Sequence, residues 1–200
     1  QIHQPSKYAG NPIIPRDHPW EQWTLAGPSV IYEPRTDMFH MRYSARESPD
    51  KNPPVVCHAE SYDGLNWKKV LRQTRRHDDQ PSNIVGGPWY RIRTPHDHDR
   101  PYKGLAHSKS LPQPVPRGMY GLHSKDDANW SQPIHVTDTK CDTISSLVWF
   151  ETAQKYFVFT RSQMWHPHLS GHLRVTGIIE STDFEHWQPK RAVNLIPESA

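Results

Sequence analysis

The amino-acid sequence predicts an all-β chain built from repeated four-stranded antiparallel sheets, and three observations predict it. Twenty prolines and ten glycines in 200 residues break up any long helix and punctuate the chain with turns. Eight Trp, eight Tyr and five Phe carry more aromatic surface than a disordered chain leaves in water. The pattern Ser-x-Asp-x-x-x-Trp occurs three times, from Ser61 to Trp67, Ser124 to Trp130 and Ser181 to Trp187, with the tryptophans 63 and 57 residues apart. Self-similarity at a nearly fixed period marks a repeat architecture.

The flanks repeat along with the motif. Aromatic-rich strands ending in serine are expected at 39–44, 102–108 and 156–162. Each follows another short strand, at 29–32, 89–93 and 146–150, across a turn at 33–37, 94–101 and 151–154. A unit therefore runs strand, turn, strand, loop, strand, turn, strand, which is a four-stranded meander. Asp63, Asp126 and Asp183 fall where the third strand turns into the fourth, and a short carboxylate there accepts backbone N–H bonds and fixes the turn. The Trp that follows opens strand four and packs between sheets. These aspartates and tryptophans are scaffold.

Four-stranded units repeated radially are the blades of a β-propeller, which closes with 4–8 of them. About three are legible, at 27–72, 84–136 and 142–193, after an N-terminal segment at 1–26. The propeller is thus partial, or is completed by another chain. An unpaired blade edge and a face carrying Trp149, Phe157 and Phe159 invite pairing, so a homo-oligomer closing the open edges is one expected partner.

Composition excludes other classes. Twenty-four Lys+Arg against 21 Asp+Glu give a net charge of +3, spread along the chain, so no nucleic-acid partner is expected. No apolar run approaches the roughly 18 residues of a membrane span, so no membrane partner is expected. Two cysteines make no disulfide framework, and Cys57, in an alternating strand, is expected as a buried thiol. A phosphate-cradling glycine loop, a Cys-x-x-Cys pair and a nucleophile elbow are all missing, and no cofactor is expected. The chain begins at Gln1 without a leader pattern. A removed leader, no leader, or a cut elsewhere all fit that start. A secreted or periplasmic location is favoured over a cytoplasmic one.

Several segments resemble a known superfamily. Asn11-Pro12-Ile13-Ile14-Pro15, then Trp20-Glu21 and Gly27-Pro28-Ser29-Val30, resemble the start of five-bladed glycoside-hydrolase propellers. These are the arabinanase/xylosidase, invertase and mannoside-phosphorylase groups, similar to glycoside hydrolase families 43 and 32. The closer match is to uncharacterised bacterial glycosyl-hydrolase-like proteins. Pro95-His96-Asp97 with Arg100-Pro101-Tyr102-Lys103 is similar to their second-blade turn. Cys141-Asp142-Thr143 with Lys155-Tyr156 and Thr160-Arg161 is similar to their third blade, and the Ser181 to Trp187 motif to their blade end. The resemblance spans roughly residues 10–190. It implies a carbohydrate substrate held at the channel mouth, among residues that start the inner strands. Two departures weigh against catalysis: relatives run on through two further blades, and Trp89 to Arg93 lacks the Asp expected beside it.

With inner strands starting at the top of the channel, strand 2–3 loops and blade connections also lie at the top, and strand 1–2 turns at the bottom. Asp142, beginning the third inner strand, is the first catalytic candidate, with a turn-capping role as its alternative. Glycoside hydrolysis needs a second carboxylate about 5–5.5 Å away for retention, or about 6.5–9.5 Å for inversion. Glu21 is the candidate partner: the indoles of Trp20 and Trp23 would desolvate it and raise its pKa, as suits a general acid. The plainer reading is a solvated Glu between packing tryptophans.

Trp20, Trp23 and Trp89 are candidate sugar-stacking surfaces. Arg161, ending the second strand of blade three, could fork onto Asp142 or a substrate carboxylate, and Arg174 is a weaker version of the same idea. His166 and His168, with His172 in the same top loop, suit sugar hydrogen bonds; the set is loose for a transition metal, and no metal is expected. His77-Asp78-Asp79 is a reserve source of the second carboxylate. His96-Asp97-His98-Asp99 lies in a bottom turn and is expected to solvate it.

The expected function is that of a carbohydrate-active protein, a glycoside hydrolase working through paired carboxylates. The alternatives are a non-catalytic carbohydrate-binding or protein-interaction propeller, and an inactive truncated remnant.

Overall fold

The structure is a computed structural model that describes residues 4–51, 53–112, 114–138, 145–166, 171–189 and 191–193. The chain forms two compact units, Gln1–Val85 and Gly86–Ala200.

In the first unit, β1 (Thr24–Glu33), β2 (Met38–Arg46), β3 (Val55–Ser61) and β4 (Lys68–Lys69) form an antiparallel meander in the order β1-β2-β3-β4. Period-two alternation sorts its faces: Met41, Tyr43 and Ala45 of β2 join Cys57 and Ala59 of β3 in one core. The fourth strand is only two residues long. The chain beyond it, Arg72-Gln73-Thr74-Arg75-Arg76-His77, has almost nothing apolar to bury and is mostly exposed. It leaves the sheet as a separate hairpin of β5 (Arg72–His77) and β6 (Gln80–Ser82). Asp78 and Asp79 turn that hairpin, both at positive φ, as a tight two-residue turn matched to strand twist requires. Then β7 (Ile84–Val85) returns to pair with β3.

The second unit contains two such sheets. One is β8 (Tyr90–Arg93), β9 (Tyr102–His107), β10 (Met119–Ser124) and β11 (Ile134–Thr137), in consecutive order. The other is β12 (Ser146–Phe150), β13 (Lys155–His166), β14 (Gly171–Ser181) and β15 (Arg191–Val193). Leu105, Met119 and Val136 of the first sheet share a core with Leu147, Tyr156, Val158, Ile179 and Phe184. The opposite face of the β12–β13 pair is apolar and open. Val148 and Phe150 are 36% and 55% exposed, and the rings of Phe150, Phe157 and Phe159 follow one another at 6.2 and 6.3 Å.

Among the described residues the helical elements are three-residue 3₁₀ turns, and no helix is long and apolar enough to cross a membrane. The fold is all-β, made of propeller-type blades.

The three motif turns are built alike. Asp63 Oδ1 accepts the backbone N–H of Leu65 (2.9 Å) and Asn66 (2.7 Å), while Oδ2 accepts the Asn66 side chain (2.7 Å). Asp126 does the same with Ala128 and Asn129. Asp183 does so with Glu185 and His186, except that an imidazole replaces the amide. The backbone N–H donated three residues on is the main reason all three carboxyls lie well below the usual carboxylate range. Trp67 and Trp187 donate their indole N–H back to the carbonyls of Gly64 and Phe184. Trp130 instead packs on Gly87, where an added Cβ would lie 2.3 Å from the indole and φ is +82°.

Candidate functional site

The first unit holds a polar network under the short turn Pro19–Glu21, which lies on the Tyr43 face of the sheet. Glu21 is fully buried. One of its oxygens accepts the Tyr43 hydroxyl proton at 2.7 Å, and the other meets Lys69 Nζ at 2.6 Å. The Tyr43 hydroxyl accepts from Asn83 Nδ2 at 2.8 Å, and Asn83 Oδ1 accepts the Trp20 indole N–H at 2.9 Å. Lys69 also donates to the Pro15 carbonyl (2.6 Å) and to Asp17 (2.5 Å). Burial first, and the bond to Glu21 second, push the Tyr43 phenol far above its ordinary value. Burial likewise raises Cys57, and the Glu21 charge adds to it. Burial alone would raise Asp17, but the bond and charge of Lys69 outweigh it, and its carboxyl is lowered.

This geometry corrects two expectations. Glu21 is neither solvated nor poised against open indoles, because both its oxygens are occupied and none of its surface meets water. A general acid must reach the group it protonates. Trp20, at 3% exposure, sits between a stacked His18 ring and the edge of His77 and offers no face to a sugar.

Trp23 behaves differently. It is 50% exposed, at the start of the inner strand. Its backbone N–H donates to the Arg46 carbonyl at 2.9 Å, and its own carbonyl accepts from Arg16 at 2.9 Å. These bonds fix the main chain from which the half-exposed indole projects. Nearby, Trp20, Glu47, Lys51, Pro53, Pro54 and His77 line a cleft of about 150 Å³. His77 Nε2 there lies 3.7 Å from Glu47 and 3.6 Å from Asp78. The reserve segment at His77–Asp79 thus brings one carboxylate beside a second, that of Glu47, which sequence reasoning missed. Glu47 lies 30 residues away on another loop, with no shared motif.

In the second unit, Asp142 and His168 lie outside the described residues. His166 ends β13, with its side chain outside them too. Trp89 is half-buried just before β8. Arg161 and Arg174 lie on the same face of the β13–β14 ladder, one opposite Thr176 and the other opposite Gln163, the first half-buried and the second exposed. The turn at 94–101 is more than solvated. Asp97 accepts from the fully buried Lys103 at 2.6 Å, and Arg100 reaches Glu185 at 2.5 Å. His96 stacks on Trp149 at 3.6 Å and meets the Tyr156 hydroxyl at 3.0 Å. Burial pushes the Tyr156 phenol up to about 12 and lowers His96. A second buried cation, Arg91, is held by both oxygens of Asp127 at 2.9 Å.

The blades define the class, and comparison with solved structures gives the particular fold. An N-acetylgalactosamine deacetylase from F. plautii, solved with blood group B trisaccharide, superposes with a TM-score of 0.56 at 14% identity, over 89% of this chain and 54% of that one. A putative glycosidase from Bacteroides thetaiotaomicron gives 0.54 at 16% identity, over 90% and 58%. The Bombyx mori GH32 β-fructofuranosidase BmSUC1, with sucrose, gives 0.51 at 14% identity, over 82% and 34%. The chain has the fold of the propeller glycosidases and spans between about half and three-fifths of the first structures it resembles. No family model and no curated protein matches it.

Proposed function

We propose that the chain is a carbohydrate-active propeller module that binds sugar where its inner strands begin. The observation that carries this reading is Trp23, an indole half in water at a strand start, anchored on both sides of its backbone. A flat ring face of that kind suits the apolar face of a pyranose or furanose. The fold neighbours include structures solved with a trisaccharide and with sucrose, which supports the same ligand class. Within the second unit, taken by itself, Trp89, Arg161, Arg174, His166 and His168 are the candidate sugar contacts.

Hydrolysis is the finer reading. It rests on Asp142 in the second unit; in the first unit Glu21 is withdrawn as a general acid, and Glu47 and Asp78, which flank His77, are the carboxylates beside the cleft. A binding-only module is the alternative, favoured by the employment of Glu21 as a structural anion.

An oligosaccharide panel assayed for binding and for released reducing ends tests both. Trp23→Ala should weaken binding about tenfold, near 1.4 kcal/mol. Asp142→Asn should stop turnover and keep binding if the protein is a hydrolase. Binding without turnover in the wild type selects the alternative, and no binding across the panel overturns the proposal.

A further inference from the structure

The face of the first sheet opposite Trp20 carries three donor atoms in one small triangle. His40 Nδ1 and His58 Nε2 are 3.2 Å apart, and Glu60 Oε1 is 3.8 Å from each. Strand register makes the triangle: His40 lies directly across from Glu60, and His58 lies two pairs along, on the same face, across from Arg42. The imidazole planes are nearly parallel, 6° apart. From this geometry we infer that His40, His58 and Glu60 form a binding site for one divalent transition-metal ion of the zinc type.

Zinc holds imidazole nitrogen at about 2.0–2.1 Å and carboxylate oxygen at about 2.0–2.2 Å in a tetrahedron, so its ligand atoms lie about 3.4 Å from one another. The three separations here straddle that edge, and side-chain shifts of a few tenths of an ångström close the figure. Two imidazoles with one carboxylate select zinc, copper, nickel or cobalt over magnesium and calcium, which want an all-oxygen shell. The side chains of His40 and Glu60 keep 20% and 23% of their surface in water while His58 keeps 7%. Water therefore reaches the fourth, open position.

Three cations share this face: Arg42 beside His58, Lys68 across from Glu60, and Arg72, whose guanidinium is 3.9 Å from Glu60 Oε1. They oppose any loosely held cation and leave the site to metals that bond strongly to imidazole. The cluster at Glu47, His77 and Asp78 is a less enclosed competitor and supplies the control.

The test titrates the whole chain with Co²⁺, following the visible absorption of the four-coordinate ion, and with Zn²⁺ by calorimetry. One equivalent with tetrahedral Co²⁺ absorption is expected. His40→Gln, His58→Gln and Glu60→Gln should each weaken it beyond the ~10–100-fold that loss of an outer-shell partner costs. His77→Gln should leave it unchanged. Metal-free melting curves check that each variant folds. If His58→Gln unfolds, the two rim variants decide. No Co²⁺ absorption in the wild type, or an absorption that survives His40→Gln and Glu60→Gln, overturns the site.

Discussion

Lys69 in the first unit and Lys103 in the second are both lysines withdrawn from water, with 7% and 0% of their side chains exposed. Lys69 sits between two carboxylates and a carbonyl that come from 48 to 54 residues earlier. Lys103 has one carboxylate and one carbonyl, both from the turn three and six residues before it. Burial is the main influence on Lys103 and lowers its pKa, with Asp97 opposing. The difference teaches what each cation holds: Lys69 clamps a distant segment onto a sheet, whereas Lys103 pins its own turn. A buried charge matters in proportion to the chain entropy its partners would otherwise recover.

The largest expected effect follows from breaking the long-range clamp. Lys69→Met leaves Glu21 charged and buried without a cation, which costs about 3–5 kcal/mol. At roughly 2–4 °C per kcal/mol for a chain of this size, the melting temperature should fall by about 10 °C. Limited proteolysis should then open the segment around Pro15 and Asp17. A melting point within a degree or two of the wild type would make the clamp ornamental. Lys103→Met should cost less, about 1–3 kcal/mol, because Asp97 is partly exposed and water can take the place of the ammonium. If the two variants fall by the same amount, the local and long-range cations are equivalent and the comparison fails.

The smallest effect lies in the motif turns. Asp183 holds His186 and raises its pKa above the ordinary 6.5, chiefly through their hydrogen bond. A raised imidazole stabilises in full below 6.5, and that contribution fades as pH rises through the folded value. The lowered Asp183 works in the opposite window: its contribution is present above 3.8 and is lost as pH falls through the folded value. NMR titration should show His186 above 6.5 in the wild type and back near it in Asp183→Asn. The turns at Asp63 and Asp126 pair with amides and should show no change near neutral pH.

The blades were legible in the sequence because the motif is local. Ser61, Asp63 and Trp67 make their bonds within a few residues of one another, so spacing alone carries the turn. The role of Glu21 was not legible, since its partners Tyr43 and Lys69 are brought to it only by sheet packing. Proximity to Trp20 in the sequence suggests an open acid, whereas both residues are buried in the structure. His40, His58 and Glu60 escaped notice for a related reason: their adjacency depends on the register of β2 and β3. The hairpin of β5 and β6 was missed because polar strands carry no alternation to detect.

Cys57 offers one more consequence. Its sulfur lies in the core beside Tyr43 and Trp20, with no exposed surface and a thiol pushed well above its ordinary pKa by burial. A thiol reagent attacks only an accessible thiolate, so labelling must wait for the first sheet to part. In a Cys141→Ser background the chain keeps a single sulfhydryl, and its modification rate becomes a clock for that opening. Run beside the Lys69→Met variant, that clock would show how often the first unit breathes in otherwise native protein.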